Sequence, residues 1–148
     1  MITKWDKRFL KLCVEVGTWS SCLRREVGCI IAKNNRIIAQ GYNGAPAGFD
    51  TCRDKGYCHK NKLGIESGPC ECYAVHAEQN AILQAAKMGI SIDGATIYIT
   101  HKPCDICTKL ILNCGIARIV YIHDYDSKWS DKLIKESGIE IEQYEGEL

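Results

Sequence analysis

Two short segments of this sequence hold residues that can bind a metal ion and activate water. His76, Cys104 and Cys107 are of types that bind zinc, and Glu78 is a carboxylate that the site does not need as a ligand. Zinc in proteins prefers four tetrahedral ligands, so three protein ligands leave the fourth position for water. This set therefore predicts an open, catalytic zinc site rather than a closed, structural one.

The spacing of these residues sets conditions on the elements that carry them. Cys104 and Cys107 are three residues apart, so on a helix they lie on one face and can chelate one ion. The positive end of the helix dipole favours their thiolate forms, and Pro103 suits the first turn of such a helix. His76 and Glu78 are two apart and can share one site only if His76 lies at the irregular start of a helix.

Glu78 is the predicted general acid and base. Two thiolates nearly neutralise the zinc charge, so the ion acidifies its water less than a zinc held by three histidines. A nearby carboxylate can take the water proton, deliver it to a pyrimidine ring nitrogen as hydroxide attacks the amine-bearing carbon, and then protonate the departing ammonia. The sequence thus predicts hydrolytic deamination without a redox cofactor.

Each motif has a simpler interpretation when it stands alone. A C-x-x-C pair also occurs as half of a structural zinc site or as a thioredoxin-like redox motif, and an isolated H-x-E carries little information. The redox interpretation leaves His76 without a role. Since H-x-E followed by P-C-x-x-C is the pattern of zinc deaminases that act on cytosine or adenine, the combination favours the catalytic interpretation.

Hydrophobic periodicity predicts the element order αββαβαβαβ. In the first helix, which is expected to cover a sheet, Trp5, Leu12, Val16 and Trp19 recur at helical spacing. Asn34-Asn35 tolerates positive φ and predicts a hairpin turn. Strands then alternate with helices, which predicts right-handed crossovers and a largely parallel sheet between helical layers. The expected elements are a helix at 4–19, strands at 27–32 and 36–40, a helix at 76–88, a strand at 95–100, a helix at 103–113, a strand at 117–122, a helix at 129–137 and a strand at 139–144.

Composition and charge narrow the class of protein. The 148 residues suit one domain, 1–148, and a formal net charge of +1 argues against a nucleic-acid binder and favours a small anionic ligand. No apolar leader or membrane-length stretch is seen, so we expect a cytoplasmic protein with no membrane partner. In that compartment the ten cysteines serve metal binding and packing rather than disulfides. Cys13, Cys29 and Cys114 have apolar neighbours and are assigned to packing.

Several motifs together resemble the deoxycytidylate (dCMP) deaminase family. They are G-Y-N-G-A-P-A-G at 41–48, H-A-E-Q-N-A-I at 76–82 and P-C-D-I-C at 103–107. Segments 27–31 and 94–100 resemble the same family, and the likeness extends over nearly the whole length. It implies a cytidine-deaminase-like three-layer α/β/α sandwich with a mixed five-stranded sheet. It also implies conversion of dCMP to dUMP with ammonia release, which supplies the precursor of thymidylate.

The resemblance also implies contacts with the nucleotide. The family's G-Y-N-G asparagine contacts the sugar and corresponds to Asn43, although asparagine before glycine is also a common turn residue. A tyrosine after the following strand corresponds to Tyr125, and Ala77 is also placed at the substrate. Arg24 and Arg25, just before the hairpin, can meet a phosphate, although paired arginines are also common on solvated surfaces.

A second, structural zinc is implied for the cysteine-rich loop at about 41–75. Many bacterial and phage members of the family carry such an ion. The preferred ligands are Cys22 and Cys52, which match the family's positions, with Cys58 and Cys72; Cys70 can substitute for Cys72, and His59 for Cys58. Four thiolates close the coordination sphere, so no chemistry is assigned there. The alternative is that these cysteines are free surface thiols.

The resemblance extends to assembly and regulation. Family members are often hexamers that dCTP activates and dTTP inhibits, which implies a homo-oligomer here. The loop 45–50 offers no arginine or lysine before Arg53, which weighs against regulation by triphosphates. One alternative is a tRNA-type deaminase acting within a polynucleotide, which needs a basic track for the strand. The other is a catalytically silent, zinc-stabilised binding protein, which the intact Glu78 disfavours.

Overall fold

A computed structural model describes residues 1–66 and 71–148, which form a five-stranded sheet covered by helices. The helices are α1 (Lys4–Gly17), α2 (Cys52–Lys55), α3 (His59–Lys62), α4 (Ala77–Met88), α5 (Asp105–Asn113) and α6 (Lys128–Ser137). The strands are β1 (Gly28–Lys33), β2 (Arg36–Tyr42), β3 (Thr96–His101), β4 (Arg118–His123) and β5 (Glu140–Gln143). No helix within the described ranges has both the length and the apolar character of a membrane span.

The sheet is mixed, with the strand order β2-β1-β3-β4-β5. β1 pairs antiparallel with β2 and with β3, whereas β3, β4 and β5 pair in parallel. The largely parallel sheet expected from the alternation of strands and helices is therefore limited to β3–β5. The reason is that β1 lies inside the sheet and runs opposite to the other four strands, whose carboxyl ends consequently share one edge.

The alternation of side chains along the strands separates two apolar cores. Ile31 and Ile97 belong to the core beneath α4 and α5, whereas Ile30, Tyr98 and Val120 belong to the core beneath α1. Neighbouring strand residues point to opposite faces, so one buried strand serves both cores. This arrangement confirms the three-layer α/β/α sandwich.

Helix α1 buries a face that matches its apolar spacing only in part, since Val16 is buried and Trp5 packs against the core as expected. Its buried residues are Asp6, Phe9, Leu10, Cys13, Val16 and Gly17. Leu12 and Trp19, which were expected on the buried face, are 40% and 52% exposed. The true stripe follows i, i+3, i+4 and i+7 from Asp6, a charged position that a hydrophobicity pattern excludes.

The cysteine-rich loop contains two short helices that periodicity does not predict. A capping box stabilises the start of helix α2. Thr51 Oγ1 accepts from the Asp54 N–H at 3.1 Å, and the Asp54 side chain accepts from the Thr51 N–H at 2.9 Å. Helix α3 follows after three residues. Elements of four residues are too short to show a helical period.

Pro103 lies further from helix α5 than the sequence predicts. The helix begins at Asp105, and Cys104 is its N-cap with extended backbone angles, φ −68° and ψ 173°. The Thr108 N–H donates to the Cys104 carbonyl at 2.8 Å, which closes the first turn. Because Cys104 takes extended backbone, the helix cannot reach back to Pro103, and Cys104 lies at the cap with Cys107 in the first turn.

Candidate active site

The predicted metal ligands lie at the edge where β2, β3, β4 and β5 end. Gly44, just beyond β2, forms an isolated antiparallel bridge with Val75, with N···O distances of 3.1 and 2.7 Å. This bridge returns the chain to the end of β2 immediately before His76. Since Cys104 follows the end of β3, the two motifs meet although they are far apart in sequence.

Three ligand atoms converge at this edge. His76 Nδ1 lies 3.3 Å from Cys107 Sγ and 3.6 Å from Cys104 Sγ. Zinc–nitrogen and zinc–sulfur bonds at a tetrahedral ion place such atoms about 3.6 Å apart. The three atoms all lie within 4.8 Å of one another, and no other triad of His, Cys, Asp or Glu in residues 1–66 and 71–148 meets this limit. The donor set fits zinc and leaves one tetrahedral position open.

His76 reaches the cluster because it precedes helix α4. It is the N-cap, with extended backbone angles of φ −70° and ψ 155°. His76 can share a site with Glu78, two residues later, only in such a non-helical conformation. The Gln79 Oε1 accepts from the His76 N–H at 2.8 Å and fixes this cap. The irregular helix start predicted from the two-residue spacing is confirmed.

The amino end of α4 lies directly on β2 at Gly41. A Cβ atom at this position would collide with the Ala77 carbonyl oxygen and the Ala81 nitrogen. The first glycine of G-Y-N-G therefore permits the close approach that places His76 and Glu78 at the end of β2. Ala77, predicted to lie at the substrate, is fully buried and belongs to the core beneath α4 and α5.

Glu78 lies in the first turn of α4 and is only 5% exposed. Burial raises the pKa of its carboxyl group, and a backbone N–H and the nearby His76 oppose that shift in part. A carboxyl group with a raised pKa can both accept and return a proton near neutral pH. The cluster thus has a proton-transfer group beside its three ligand atoms.

Hydrogen bonds within the cluster shift the pKa values of its two thiols and its imidazole. Hydrogen bonding to Cys107, and then to His76, lowers the pKa of Cys104 to about 4 in spite of burial. The same bond to Cys104, together with burial and the nearby Glu78, raises the pKa of Cys107. Hydrogen bonding to Cys104 also raises the pKa of His76. A divalent cation that binds all three side chains needs them deprotonated and therefore displaces their protons.

Asn43 is buried at the end of β2, and its side chain is already engaged. Its Nδ2 donates to the Arg25 carbonyl at 2.8 Å, and its Oδ1 accepts from the Val27 N–H at 2.9 Å. The Ser20 hydroxyl donates to the Asn43 carbonyl at 2.8 Å. These bonds tie the segment before β1 to the site edge, so the amide of this motif residue has a structural role.

Tyr125, which follows β4, and Arg25, which precedes β1, lie together at the site edge. The Arg25 guanidinium lies over the Tyr125 ring, with Cζ 5.4 Å from the ring centroid. Arg25 is exposed, and its guanidinium is also close enough to His101 to lower the pKa of that imidazole. The two residues form a cationic and aromatic side of the site.

Arg24 makes hydrogen bonds to the cysteine-rich loop, so of the two arginines predicted to meet a phosphate it is Arg25 that remains at the site. Its Nε donates to Asn61 Oδ1 at 2.7 Å, and its Nη1 donates to the Glu66 carbonyl at 2.8 Å. A third bond goes to the Ile65 carbonyl. The two neighbouring arginines therefore have different partners, because Arg24 binds residues 61–66 within the cysteine-rich loop.

A histidine pair at the same edge was missed by sequence reasoning. His101 and His123 are register partners at the ends of β3 and β4, with ring centroids 4.9 Å apart. Burial, followed by the charges of Arg25 and His123, lowers the pKa of His101 to about 4. The signal was available, because each histidine directly follows a predicted strand, 95–100 or 117–122, on the functional edge.

The cysteines predicted to hold a second zinc gather around Cys52. Burial raises the pKa of Cys52, and the thiols of Cys22, Cys58 and Cys72 raise it further, so these three lie near it. Within the described chain, however, no three of the four sulfur atoms lie mutually within 4.8 Å. The four preferred cysteines therefore lie near one another, but no three of their sulfur atoms are as close together as the three ligand atoms of the catalytic cluster.

Cys70 and His59 are the substitute ligands predicted for the second zinc. Cys70 lies outside the residues that the structure describes. His59 Nε2 is 2.9 Å from Glu71 Oε2, and its ring packs edge-on against Tyr73. His59 therefore has an ion-pair partner in the loop.

Known proteins resemble the chain over most of its length. The family model described as "Cytidine and deoxycytidylate deaminase zinc-binding region" matches residues 3–123. The deoxycytidylate deaminase of enterobacteria phage T4 is 37% identical over 166 positions, which cover 89% of this chain and 86% of the phage protein. The deoxycytidylate deaminase of Saccharomyces cerevisiae is 35% identical over 97% of this chain, which spans only 46% of the yeast protein.

A solved structure agrees with the fold as well as the sequence. The dCMP deaminase from cyanophage S-TIM5, crystallised in complex with dCMP and dUMP, superposes with a TM-score of 0.81 at 32% identity. The match covers 97% of this chain and 99% of the cyanophage chain. With the metal-binding cluster in place and a family match across most of the sequence, the chain belongs to the cytidine and deoxycytidylate deaminase family.

Proposed function

We propose that the protein hydrolyses dCMP to dUMP and ammonia. The observation that carries the proposal is the convergence of His76, Cys104 and Cys107 on one point with the buried carboxyl group of Glu78 beside them. The deoxycytidylate deaminases of phage T4 and yeast, and the cyanophage enzyme crystallised with dCMP and dUMP, support this choice of substrate.

The chain's own residues account for the proton transfers. Zinc held by His76, Cys104 and Cys107 supplies a Lewis acid that makes water more acidic. Glu78 takes one proton from the attacking water and gives it to the N3 atom of cytosine, then takes the remaining proton from the hydroxyl group now bound to C4 and delivers it to the departing amino group. One water is consumed and one ammonia released, and Glu78 returns to its starting state.

The basic side of the site supports a monophosphate rather than a nucleoside. Arg25 lies over the ring of Tyr125 and acts on His101, which pairs with His123. We assign Arg25 to the phosphate and Tyr125 to the nucleotide beside it. Asn43 is assigned to the sugar, with its amide oriented by its bonds to the segment before β1.

The test is ammonia release from dCMP, CMP, dCTP, deoxycytidine and a cytosine-containing single-stranded oligonucleotide. We expect the highest kcat/KM with dCMP, because Arg25 meets a monophosphate and the balanced net charge of +1 offers little attraction to a long strand. Deoxycytidine that is deaminated as well as dCMP would contradict the phosphate assignment. Turnover of the oligonucleotide alone would favour the polynucleotide deaminase instead.

We also propose a structural zinc at Cys22, Cys52, Cys58 and Cys72, so the purified protein should contain about two zinc ions per chain. Replacing Cys52 by serine should lower the content to about one, because Cys52 is the thiol that the others surround. Elemental analysis measures both values. The matched control is Cys114→Ser, which changes a cysteine outside both ligand sets and should keep both ions. One zinc in the unaltered protein, retained in Cys52→Ser, contradicts the second site.

The surroundings and assembly of the protein are proposed on the same basis. The nine cysteines within residues 1–66 and 71–148 are free thiols, which suits the reducing cytoplasm. Leu83 on α4 and Ile106 and Leu110 on α5 are exposed apolar side chains, and we propose that a homo-oligomer such as the hexamer of the family buries them between copies.

A further inference from the structure

Helix α6 contacts both ends of the turn that carries the two thiol ligands. Ser130 Oγ donates to the Pro103 carbonyl at 3.0 Å, directly before Cys104. The same oxygen lies 2.7 Å from Thr108 Oγ1, directly after Cys107. A single hydroxyl of α6 thus joins the residues that flank the C-x-x-C segment.

The direction of these hydrogen bonds follows from the donor count. A serine hydroxyl has one hydrogen, which Ser130 gives to the Pro103 carbonyl, so Thr108 must donate to Ser130. Ser130 and Thr108 are both fully buried, and solvent cannot replace either bond. Loss of the Ser130 hydroxyl therefore leaves the Pro103 acceptor and the Thr108 donor without partners.

These bonds act on the direction of the ligand side chains. The Pro103 carbonyl belongs to the planar peptide bond that leads into Cys104, and Cys104 has extended rather than helical backbone. The helix ladder therefore does not by itself set the direction of the Cys104 side chain. At the other end, the Thr108 N–H holds the Cys104 carbonyl at 2.8 Å while its hydroxyl reaches Ser130.

We propose that Ser130 and Thr108 are positioning residues that hold Cys104 and Cys107 in the geometry required to retain the metal. The inference rests on the metal centre in the proposed function. Groups that orient metal ligands from outside the coordination sphere typically change metal affinity by roughly 10- to 100-fold when they are removed. The hydroxyl groups of Ser130 and Thr108 make the hydrogen bonds that join α6 to the ligand segment, so the proposed effect depends on these hydroxyl groups.

The experiment measures zinc release from the full-length zinc-loaded protein to an excess of a chromophoric chelator. Ser130→Ala and Thr108→Val each remove a hydroxyl, and both should release zinc roughly 10- to 100-fold faster. Thr108→Ser keeps the hydroxyl and should stay within about threefold of the unaltered protein. Ser137→Ala removes another α6 hydroxyl, one that donates to the Ile134 carbonyl at 2.8 Å, and should leave release unchanged.

A Cys107→Ser variant identifies the release phase that belongs to this centre. If Cys107→Ser loses no phase of zinc release, the metal centre of the proposed function is wrong. The positioning role is judged only on the release phase that Cys107→Ser removes. Equal rates for Ser130→Ala and Ser137→Ala overturn the positioning role. So do equal rates for Thr108→Val and Thr108→Ser, since serine loses a buried methyl group and valine does not. If Ser130→Ala fails to fold, the two Thr108 variants decide the question.

Discussion

A Glu78→Gln variant is expected to turn over dCMP roughly 10²- to 10⁴-fold more slowly than the unaltered protein while it keeps its zinc. Glutamine has nearly the same shape but cannot accept the proton of the attacking water or deliver one to cytosine N3. Glu78 is not among the three converging ligand atoms, so metal binding should survive. The Glu78 carboxyl group is buried beside the ligand atoms.

The variant is checked by steady-state kinetics together with zinc content. We expect kcat to fall and KM for dCMP to change little, because the proposed phosphate contact lies at Arg25. Glu15→Gln on α1, an exposed carboxylate on the opposite face of the sheet from α4 and α5, is the matched control and should have normal kcat. A normal kcat in Glu78→Gln refutes the acid and base role, and loss of zinc indicates that Glu78 is a ligand.

Replacing Arg118 by methionine is expected to lower the free energy of unfolding by about 3–5 kcal/mol, because it leaves a buried carboxylate without its partner. Asp6 on α1 is 2% exposed, and its Oδ1 lies 2.9 Å from Arg118 Nη1. The Tyr98 hydroxyl donates to the same oxygen at 2.7 Å, and Arg118 also pairs with Glu142 at 2.6 Å. This network lies at the end of the sheet opposite to the metal cluster.

Urea unfolding at neutral pH measures this loss. The double variant Asp6→Asn/Arg118→Met should recover part of the stability, since no buried charge is left unpaired. Lys132→Met is the control, because its ion pair with Glu136 is exposed and exposed pairs contribute about 0–1 kcal/mol. A loss in Arg118→Met no greater than that of the control contradicts the role of the buried network.

The same network gives stability a pH dependence of known sign. Burial by itself raises the pKa of Asp6, but hydrogen bonds from Arg118, Thr3 and Tyr98 together lower it below its ordinary value. A lowered pKa in the folded state contributes stability above the unfolded value, about 3.9, and this contribution is lost as the pH falls through the folded pKa. Arg118→Met should lose less stability on acidification than the unaltered protein.

The sequence was sufficient where a local rule decides the structure. Asn34 and Asn35 have φ values of 52° and 58°, as a tight hairpin requires, and Gly89 and Gly138 end α4 and α6 in left-handed conformation. The start of α4 followed from the chemistry of His76 and Glu78, because only an extended cap lets both face one site. Motif spacing thus predicted the metal cluster and the start of α4.

Other features depend on contacts that no local pattern encodes. The burial of Asp6 requires Arg118, a residue far along the chain, so its charge misled the assignment of the buried face of α1. Arg24 and Arg25 are adjacent and identical in type, yet only distant loop carbonyls determine that Arg24 turns away from the site. The bond from Ser130 to the Pro103 carbonyl likewise joins two helical regions that have separate sequence signals.

The bridge between Gly44 and Val75 also bears on how members of this family can diverge. The chain leaves the site edge at Gly44 and comes back to the same point at Val75, so the two ends of the insert 45–74 meet at this bridge, which we call the neck. Exchange of that insert for one of different length or metal content need not displace His76, provided that the neck is kept. Evolution, or a protein engineer, can therefore graft new control elements there while the hydrolytic machinery stays in register.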